Sequence, residues 1–301
     1  MEILTDPIWL TTLGVLIGAI VGSFLNVCVT RIPKGLSIVF PSSSCPQCKT
    51  AIFWVDNVPV LSWIRLKGKA RCCDFRIPWR YLAVEVFTAL LFGFIFFKFG
   101  READWGLMLC GIFFTSVIII VISIDFETMM IPDRFSIGGA VVGLIMSFCF
   151  PSLHGFSIEP IFIERMSSLF ISFMGLLVSS AVLYWIGAVA ETLMDKEALG
   201  QGDIKLLGLV GSFCGWQGGL FVIFGGALVG TIFLIPILLI TKYLKKEEVA
   251  LEDKKVVWGM EIPFGPFLGI AALIYFLGLE IYVDAWFNGI FSNFIHFFSV
   301  L

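Results

Sequence analysis

Long uncharged stretches alternate with short charged ones along this chain, and the apolar stretches match the thickness of a bilayer. A helix rises about 1.5 Å per residue, so about 20 residues cross the roughly 30 Å hydrocarbon layer. Six runs reach that length: residues 7–30, 105–124, 135–153, 166–190, 206–241 and 262–279. A seventh, 81–97, qualifies despite Glu85. Residues 206–241 are too many for one crossing, since they would extend about 54 Å as a single helix. The stretch Gly215-Trp-Gln-Gly-Gly219 offers a break. The pattern therefore predicts an all-α polytopic membrane protein with about eight spans.

Charge then orients the spans, because Lys and Arg are retained on the cytoplasmic side while acidic residues carry little topological information. Residues 31–80 hold nine of the 20 basic residues. With that segment inside, strict alternation also places 125–134, 191–205 and 242–259 inside, for 17 basic residues in all. Only Lys98, Arg101 and Arg165 fall outside. Both termini are expected outside. The chain divides into a first helix (1–30), a cytoplasmic cysteine-containing loop (31–80), a membrane core of helices 2–8 (81–284) and an apolar tail (285–301) that lies in the interface or crosses once more. The N-terminal run has no basic lead-in and no small-residue cleavage motif, so it reads as a retained helix. The mixed-charge run 245–255 reads as a solvated loop.

Composition agrees with this picture and narrows the chemistry. The 301 residues are 58% hydrophobic and 14% charged, with a mean hydropathy of +0.98, which excludes a chain that folds in water. A net charge of -3 gives no basis for nucleic-acid binding. The two histidines, His154 and His296, cannot form an HExxH metal site and give Ser-His chemistry little support. Catalysis is left mainly to Asp, Glu, Cys and Lys.

Two carboxylates stand out. Ile118-Ile-Ile-Val-Ile-Ser-Ile-Asp125 is an apolar helix running into an Asp at its expected cytoplasmic end, where an ionisable group is costly unless used or paired. Gly200-Gln-Gly-Asp203-Ile-Lys205 precedes the next apolar run, on the same side by parity. Two aspartates held close cannot both ionise, so they share one proton; one then activates water while the other donates to a carbonyl oxygen. The glycines beside Asp203 would let a substrate strand approach the backbone. The alternatives are helix caps, or an ion-coupled transporter using the Asp pair. Asp133, after Pro132, reads first as a helix N-cap, and Glu197 as a group that orients Asp203 or faces water.

Of eight cysteines, Cys28, Cys110, Cys149 and Cys214 lie in or beside apolar runs and read as small buried hydrophobes. Cys45, Cys48, Cys72 and Cys73 fall in the cytoplasmic loop. A reducing compartment argues against disulfides, so Cys45-Pro-Gln-Cys48 reads as half of a zinc knuckle.

At these residues the chain resembles the type IV prepilin peptidases, bifunctional leader peptidases and N-methyltransferases of pilus and type II secretion systems. The resemblance spans nearly the whole sequence. It rests on Gly22-Ser-Phe-Leu-Asn-Val27 with Arg31-Ile-Pro33, Asp56-Asn-Val-Pro-Val-Leu-Ser-Trp63, Arg80-Tyr-Leu-Ala-Val-Glu85, Ile124-Asp125 with Ile131-Pro-Asp133, Gly200-Gln-Gly-Asp203-Ile-Lys205 and Ile262-Pro-Phe-Gly-Pro-Phe267. It implies that Asp125 and Asp203 are the catalytic pair of a GxGD-type intramembrane aspartyl peptidase, with Gly200, Gly202, Lys205 and Glu197 in support.

The implied substrates are prepilins or pseudopilins, cut after Gly at the cytoplasmic face of the inner membrane. The new N-terminus is then methylated from S-adenosylmethionine. The implied metal is zinc, held by two CxxC pairs. Here Ala70 stands in place of the third cysteine, Cys73 takes the fourth position and Cys72 is extra. Either Cys72 replaces the missing ligand or zinc keeps three thiolates and another group. Because prepilin leaders are basic, Asp56, Glu85 or Glu127 are candidates for recognising them. A peptidase without transferase activity is the nearest alternative.

Overall fold

A computed structural model describes residues 6–40, 43–73, 75–156, 161–195, 199–244 and 263–300. Glu197, the run 245–255 and Ile262 lie outside the described residues. The fold is helical: α1 (Pro7–Arg31), α2 (Leu61–Arg65), α3 (Trp79–Arg101), α4 (Trp105–Thr128), α5 (Asp133–Cys149), α6 (Ile161–Met194), α7 (Gln201–Leu244), α8 (Gly265–Ile274) and α9 (Glu280–Val300). A π-helical turn, Tyr275–Leu279, joins α8 to α9.

Six stretches among the described residues are long and apolar enough to cross a membrane: Pro7–Lys34, Trp79–Arg101, Trp105–Thr128, Ile161–Met194, Gln201–Pro236 and Gly265–Ile290. The count of about eight expected from the sequence is reached with two more features. Helix α5 is apolar but only 17 residues long. In α7 the helix is interrupted at Gly215, where φ is 65° and ψ -177°, inside the glycine stretch expected to break it. Only glycine takes that conformation at little cost. Opposite the break, the buried Tyr275 hydroxyl donates to the Cys214 carbonyl at 3.3 Å and to Asp284 at 2.7 Å.

The chain forms two compact units. Unit 1 comprises residues 1–124 and 145–168, and unit 2 comprises 125–144 and 169–301. In unit 1, α1 lies along α3 through a seam of glycines four residues apart. A Cβ on Gly14 would stand 2.7 Å from the Phe92 carbonyl, one on Gly18 2.7 Å from Ala89 Cα, and one on Gly22 2.9 Å from Glu85 Cα. Without side chains on one helix, the backbones come close enough for extensive van der Waals contact, the main attraction between helices in lipid. Replacing Gly18 by Leu is expected to destabilise the folded protein by about 1–3 kcal/mol through overpacking. Unfolding of the purified variant in detergent, compared with wild type, checks this.

The same unit closes with hydroxyl pairs rather than charges: Ser147 and Ser168 are 2.8 Å apart on α5 and α6. In unit 2, the Ser172 hydroxyl of α6 donates to the Ser212 carbonyl of α7 at 2.6 Å. Cys28, Cys110 and Cys214 are buried as expected, but Cys149 is exposed. It is the last residue of α5, where an apolar side chain can face lipid without needing a core.

Candidate functional site

The first cluster lies in unit 2 and is built from helix ends. Asp125 stands one turn before the end of α4, and Asp203 in the first turn of α7. Both are buried, 5% and 9% exposed, and near enough for their charges to interact. The chain leaving α4 turns through Met129, at φ 52°, to bring Ile131 back over both sites. A Cβ on Gly202 would stand 3.1 Å from Ile131 Cβ, and one on Gly265 3.2 Å from Ile131 Cδ1 and 2.6 Å from Asp125 Oδ2. The Ile131 side chain therefore fills the space beside Gly202, which the sequence reading had left for a substrate strand. The missing Cβ serves packing there. At Gly200 a Cβ would lie 3.3 Å from Asp203 Oδ2, so that glycine keeps the carboxylate uncrowded.

Lys205 donates to Asp133 Oδ1 at 2.6 Å, tying the start of α5 to the start of α7. Asp133 is thus the first residue of α5 with an ion-pair partner, instead of the N-cap expected for it. The pair is largely exposed and contributes about 0–1 kcal/mol; its value is in holding Ile131 between the two glycines. Asp125 Oδ2 is buried against Gly265 and makes no well-formed hydrogen bond. A buried carboxylate beside a second carboxylate, with the Gly265 backbone facing it, is an arrangement that can accept a proton from a nucleophile. Gly265 is a contributor that single-residue reasoning did not single out, although it sits in the quoted Pro-Phe-Gly-Pro stretch.

The second cluster lies in unit 1. Two turns, each closed by an antiparallel bridge, Ser44 to Ala51 and Lys69 to Arg76, present two cysteines apiece. The Cys45 N–H donates to the Thr50 carbonyl and the Lys49 N–H to the Cys45 carbonyl, and Lys49 adopts φ 60° to close the first knuckle. The Sγ atoms of Cys45, Cys48, Cys72 and Cys73 all lie within 4.8 Å of one another. Cys45 and Cys73 are 3.5 Å apart, Cys48 and Cys72 3.2 Å, and Cys72 and Cys73 3.9 Å.

A tetrahedral zinc site with Zn–S near 2.3 Å separates its sulfurs by about 3.8 Å, so the four thiols fit such an ion. Of the two arrangements left open by the sequence, this geometry matches Cys72 in the place of the missing ligand. The Thr50 hydroxyl, 3.2 Å from its sulfur, holds the Cys48 thiol down at about 6, while the hydrogen bond with Cys48 pushes Cys72 up to about 12. Cys45 is lowered as well, first by its backbone hydrogen bond with Cys48, while Cys73 is raised. Two of the four thiols thus lose their protons more readily than a free thiol, and a bound cation helps the other two to do so.

The acidic candidates for leader recognition are already engaged where described. Asp56 is held by Arg65 at 2.6 Å and Arg71 at 2.8 Å, and Glu85, inside α3, accepts from the Val60 N–H at 2.7 Å.

Comparison with known proteins places the two aspartates and the four clustered cysteines in matched segments. Residues 16–99 match the Bacterial Peptidase A24 N-terminal domain, and residues 112–235, which include Asp125 and Asp203, match the Type IV leader peptidase family. A curated protein of Pectobacterium carotovorum subsp. carotovorum named Prepilin leader peptidase/N-methyltransferase is 32% identical over 88% of this chain and 91% of its own length. Proteins of the same name from Klebsiella pneumoniae and Dichelobacter nodosus are 33% and 29% identical, over 66% and 92% of this chain and 83% and 94% of theirs. No solved structure matches. With both domains matched in order and near one-third identity sustained over nearly nine-tenths of its length, this chain belongs to the type IV leader peptidase family.

Proposed function

We propose that this chain removes the basic leader from prepilin or pseudopilin substrates, cutting after Gly, with Asp125 and Asp203 as the acid–base pair, and then methylates the new N-terminus. It is a multi-pass protein of the bacterial inner membrane. The proposed orientation has both termini outside and the cysteine loop (31–80) and aspartates on the cytoplasmic side, where a leader presents its scissile bond. The observation that carries the reading is two buried carboxylates on separate helices, converging under Ile131 and Gly265.

In the proposed step the ionised aspartate takes a proton from water as its oxygen attacks the scissile carbonyl carbon. The protonated aspartate gives its proton to the carbonyl oxygen. Collapse of the tetrahedral adduct breaks the C–N bond, and the leaving amine takes up a proton from the pair. Gly200 keeps Asp203 clear, while Gly202 and Lys205 hold the start of α7 against Ile131 and Asp133. The support proposed for Glu197 lies outside the described residues.

S-adenosylmethionine, when bound, supplies the methyl group. Zinc would be held by Cys45, Cys48, Cys72 and Cys73, and would act as a structural cross-link between the two turns. The alternative of a peptidase without transferase activity was motivated by the altered second cysteine pair; the convergence of four sulfurs removes that motive.

Purified protein incubated with a prepilin, with and without methyl donor, tests the reading by intact mass of the product. Leader loss is expected in both reactions and a methyl group only with donor; intact prepilin in both would sink the proposal. Metal analysis of the same preparation is expected to give about one zinc per chain, and markedly less in Cys45→Ser and Cys48→Ser. Equal zinc in wild type and both variants would show that the sulfurs do not bind it.

A further inference from the structure

Unit 1 holds a polar cleft that leader cleavage, as proposed, does not use. It has a volume of about 240 Å³ between α1, the cysteine loop and α3, and its lining includes Asn26, Asp56, Trp63, Phe75, Tyr81 and Glu85. Asn26 is 2% exposed; its amide Nδ2 donates to the Tyr81 carbonyl at 3.0 Å, while its Oδ1 is buried and accepts from nothing. Buried amide oxygens are rarely left so unless a ligand or water meets them.

Glu85 is a buried carboxylate whose Oε2 is fixed by the Val60 N–H. To place that N–H, Val60 adopts φ 63° and ψ -54°, a conformation that β-branched residues strongly avoid. Strain of that kind is found where a site holds a geometry that folding alone would not choose.

Charge selects among ligands. Asp56 is neutralised by Arg65 and Arg71, and Arg31 also lines the cleft, so a Lys- and Arg-rich leader is repelled from that end. Glu85 remains as the carboxyl group without a cationic partner among the described ion pairs. Trp63 and Phe75 bring aromatic rings to the same lining, where a flat group can stack, while the Tyr81 ring already carries the Arg80 guanidinium 5.1 Å from its centre. A flat heteroaromatic base joined to a compact positive charge, with amine donors for Asn26 Oδ1, fits this set. At about 240 Å³ the cleft is smaller than the usual ligand cleft of about 300–1,000 Å³, so it encloses the base end of such a molecule and leaves the rest outside.

We infer that the cleft lined by Asn26, Glu85 and the aromatic rings binds the S-adenosylmethionine used in methylation, which rests on the transferase part of the function proposed above. The transfer it serves is balanced: the S–CH3 bond breaks with its electron pair left on sulfur, an N–CH3 bond forms to the neutral N-terminal amine, and the resulting ammonium releases one proton to water. The products are a neutral thioether and a secondary amine.

Full-length protein in lipid nanodiscs, without any prepilin, is irradiated with radiolabelled S-adenosylmethionine and the label is mapped by proteolysis. Label is expected on peptides covering residues 54–66 or 75–85. Equilibrium binding of S-adenosylhomocysteine is expected to weaken at least ten-fold in Asn26→Ala, Trp63→Ala and the conservative Glu85→Gln. In Asn26→Ala and Trp63→Ala, zinc content and prepilin cleavage are expected to stay at wild-type levels, which separates lost contacts from lost folding. Label confined to residues 169–301, or wild-type affinity in all three variants, overturns the assignment. So does a basic leader peptide that occupies the cleft where S-adenosylhomocysteine does not. Binding is scored without substrate and cleavage without donor, so a protein that binds the donor but cuts nothing refutes only the peptidase reading. One that cuts but takes no label in the cleft refutes only this site.

Discussion

Prepilin cleavage is expected to fall by about 10⁴-fold in Asp125→Asn and in Asp203→Asn, the scale of loss seen when a group that handles the proton is neutralised without changing its shape. Asparagine matches aspartate in volume, so both variants should insert and fold as wild type does. Single-turnover cleavage followed by the intact mass of the pilin measures the loss. A near-normal rate in either variant would assign the chemistry to another carboxylate, with Asp133 or Glu197 next. In wild type the same assay run across pH is expected to trace a bell, since one aspartate must be ionised and one protonated. Its two limbs belong to the pair and to neither residue alone. A flat profile with chemistry rate-limiting would count against a shared proton.

The second large effect is expected at a residue with no side chain. In Gly265→Ala the new Cβ would stand 2.6 Å from Asp125 Oδ2 and 3.2 Å from Ile131 Cδ1. The 2.6 Å contact is closer than a Cβ tolerates and obliges the carboxylate to shift, whereas the tip of Ile131 at 3.2 Å needs to give by only a few tenths of an ångström. A displacement near 1 Å of a reacting group costs about 10²-fold in rate. The expected signature is therefore a kcat about 10²-fold lower with KM little changed and an unaltered unfolding curve. An equal fall in stability would mean that the glycine serves packing alone, and a wild-type kcat would mean that Asp125 is not placed by it.

The spans were legible because a bilayer demands about 20 apolar residues at a time, and the sequence supplies them. The break at Gly215 was legible for a related reason: a 36-residue apolar run cannot fit one crossing, and glycines mark where it yields. The helix ends were less so. Asp133 reads as a cap from its neighbour Pro132, yet the structure pairs it with Lys205, 72 residues away, which no local pattern encodes. The glycines around Asp203 were noticed, but the residue that fills the room beside Gly202, Ile131, lies in the loop before α5, and only its contacts with Gly202 and Gly265 in the folded unit reveal it. Cysteine spacing misled in the opposite direction. Adjacent Cys72 and Cys73 look like a damaged pair when judged by separation along the chain. Sulfur positions are set by the turn between Lys69 and Arg76, which swings both side chains toward Cys45 and Cys48.

The glycine seam between α1 and α3 bears on that cysteine loop as well. By pairing the two helices, it pins residues 31 and 79 and turns the segment between them into a closed ring. Much of the chain entropy that would otherwise be lost in bringing the two turns together is spent in helix pairing, before any ion arrives. The two knuckles then meet at high effective concentration. The membrane helices thus act as a tether that brings the four thiols together, and the same segment cut free of them is expected to bind a thiophilic metal ion less tightly than the full chain.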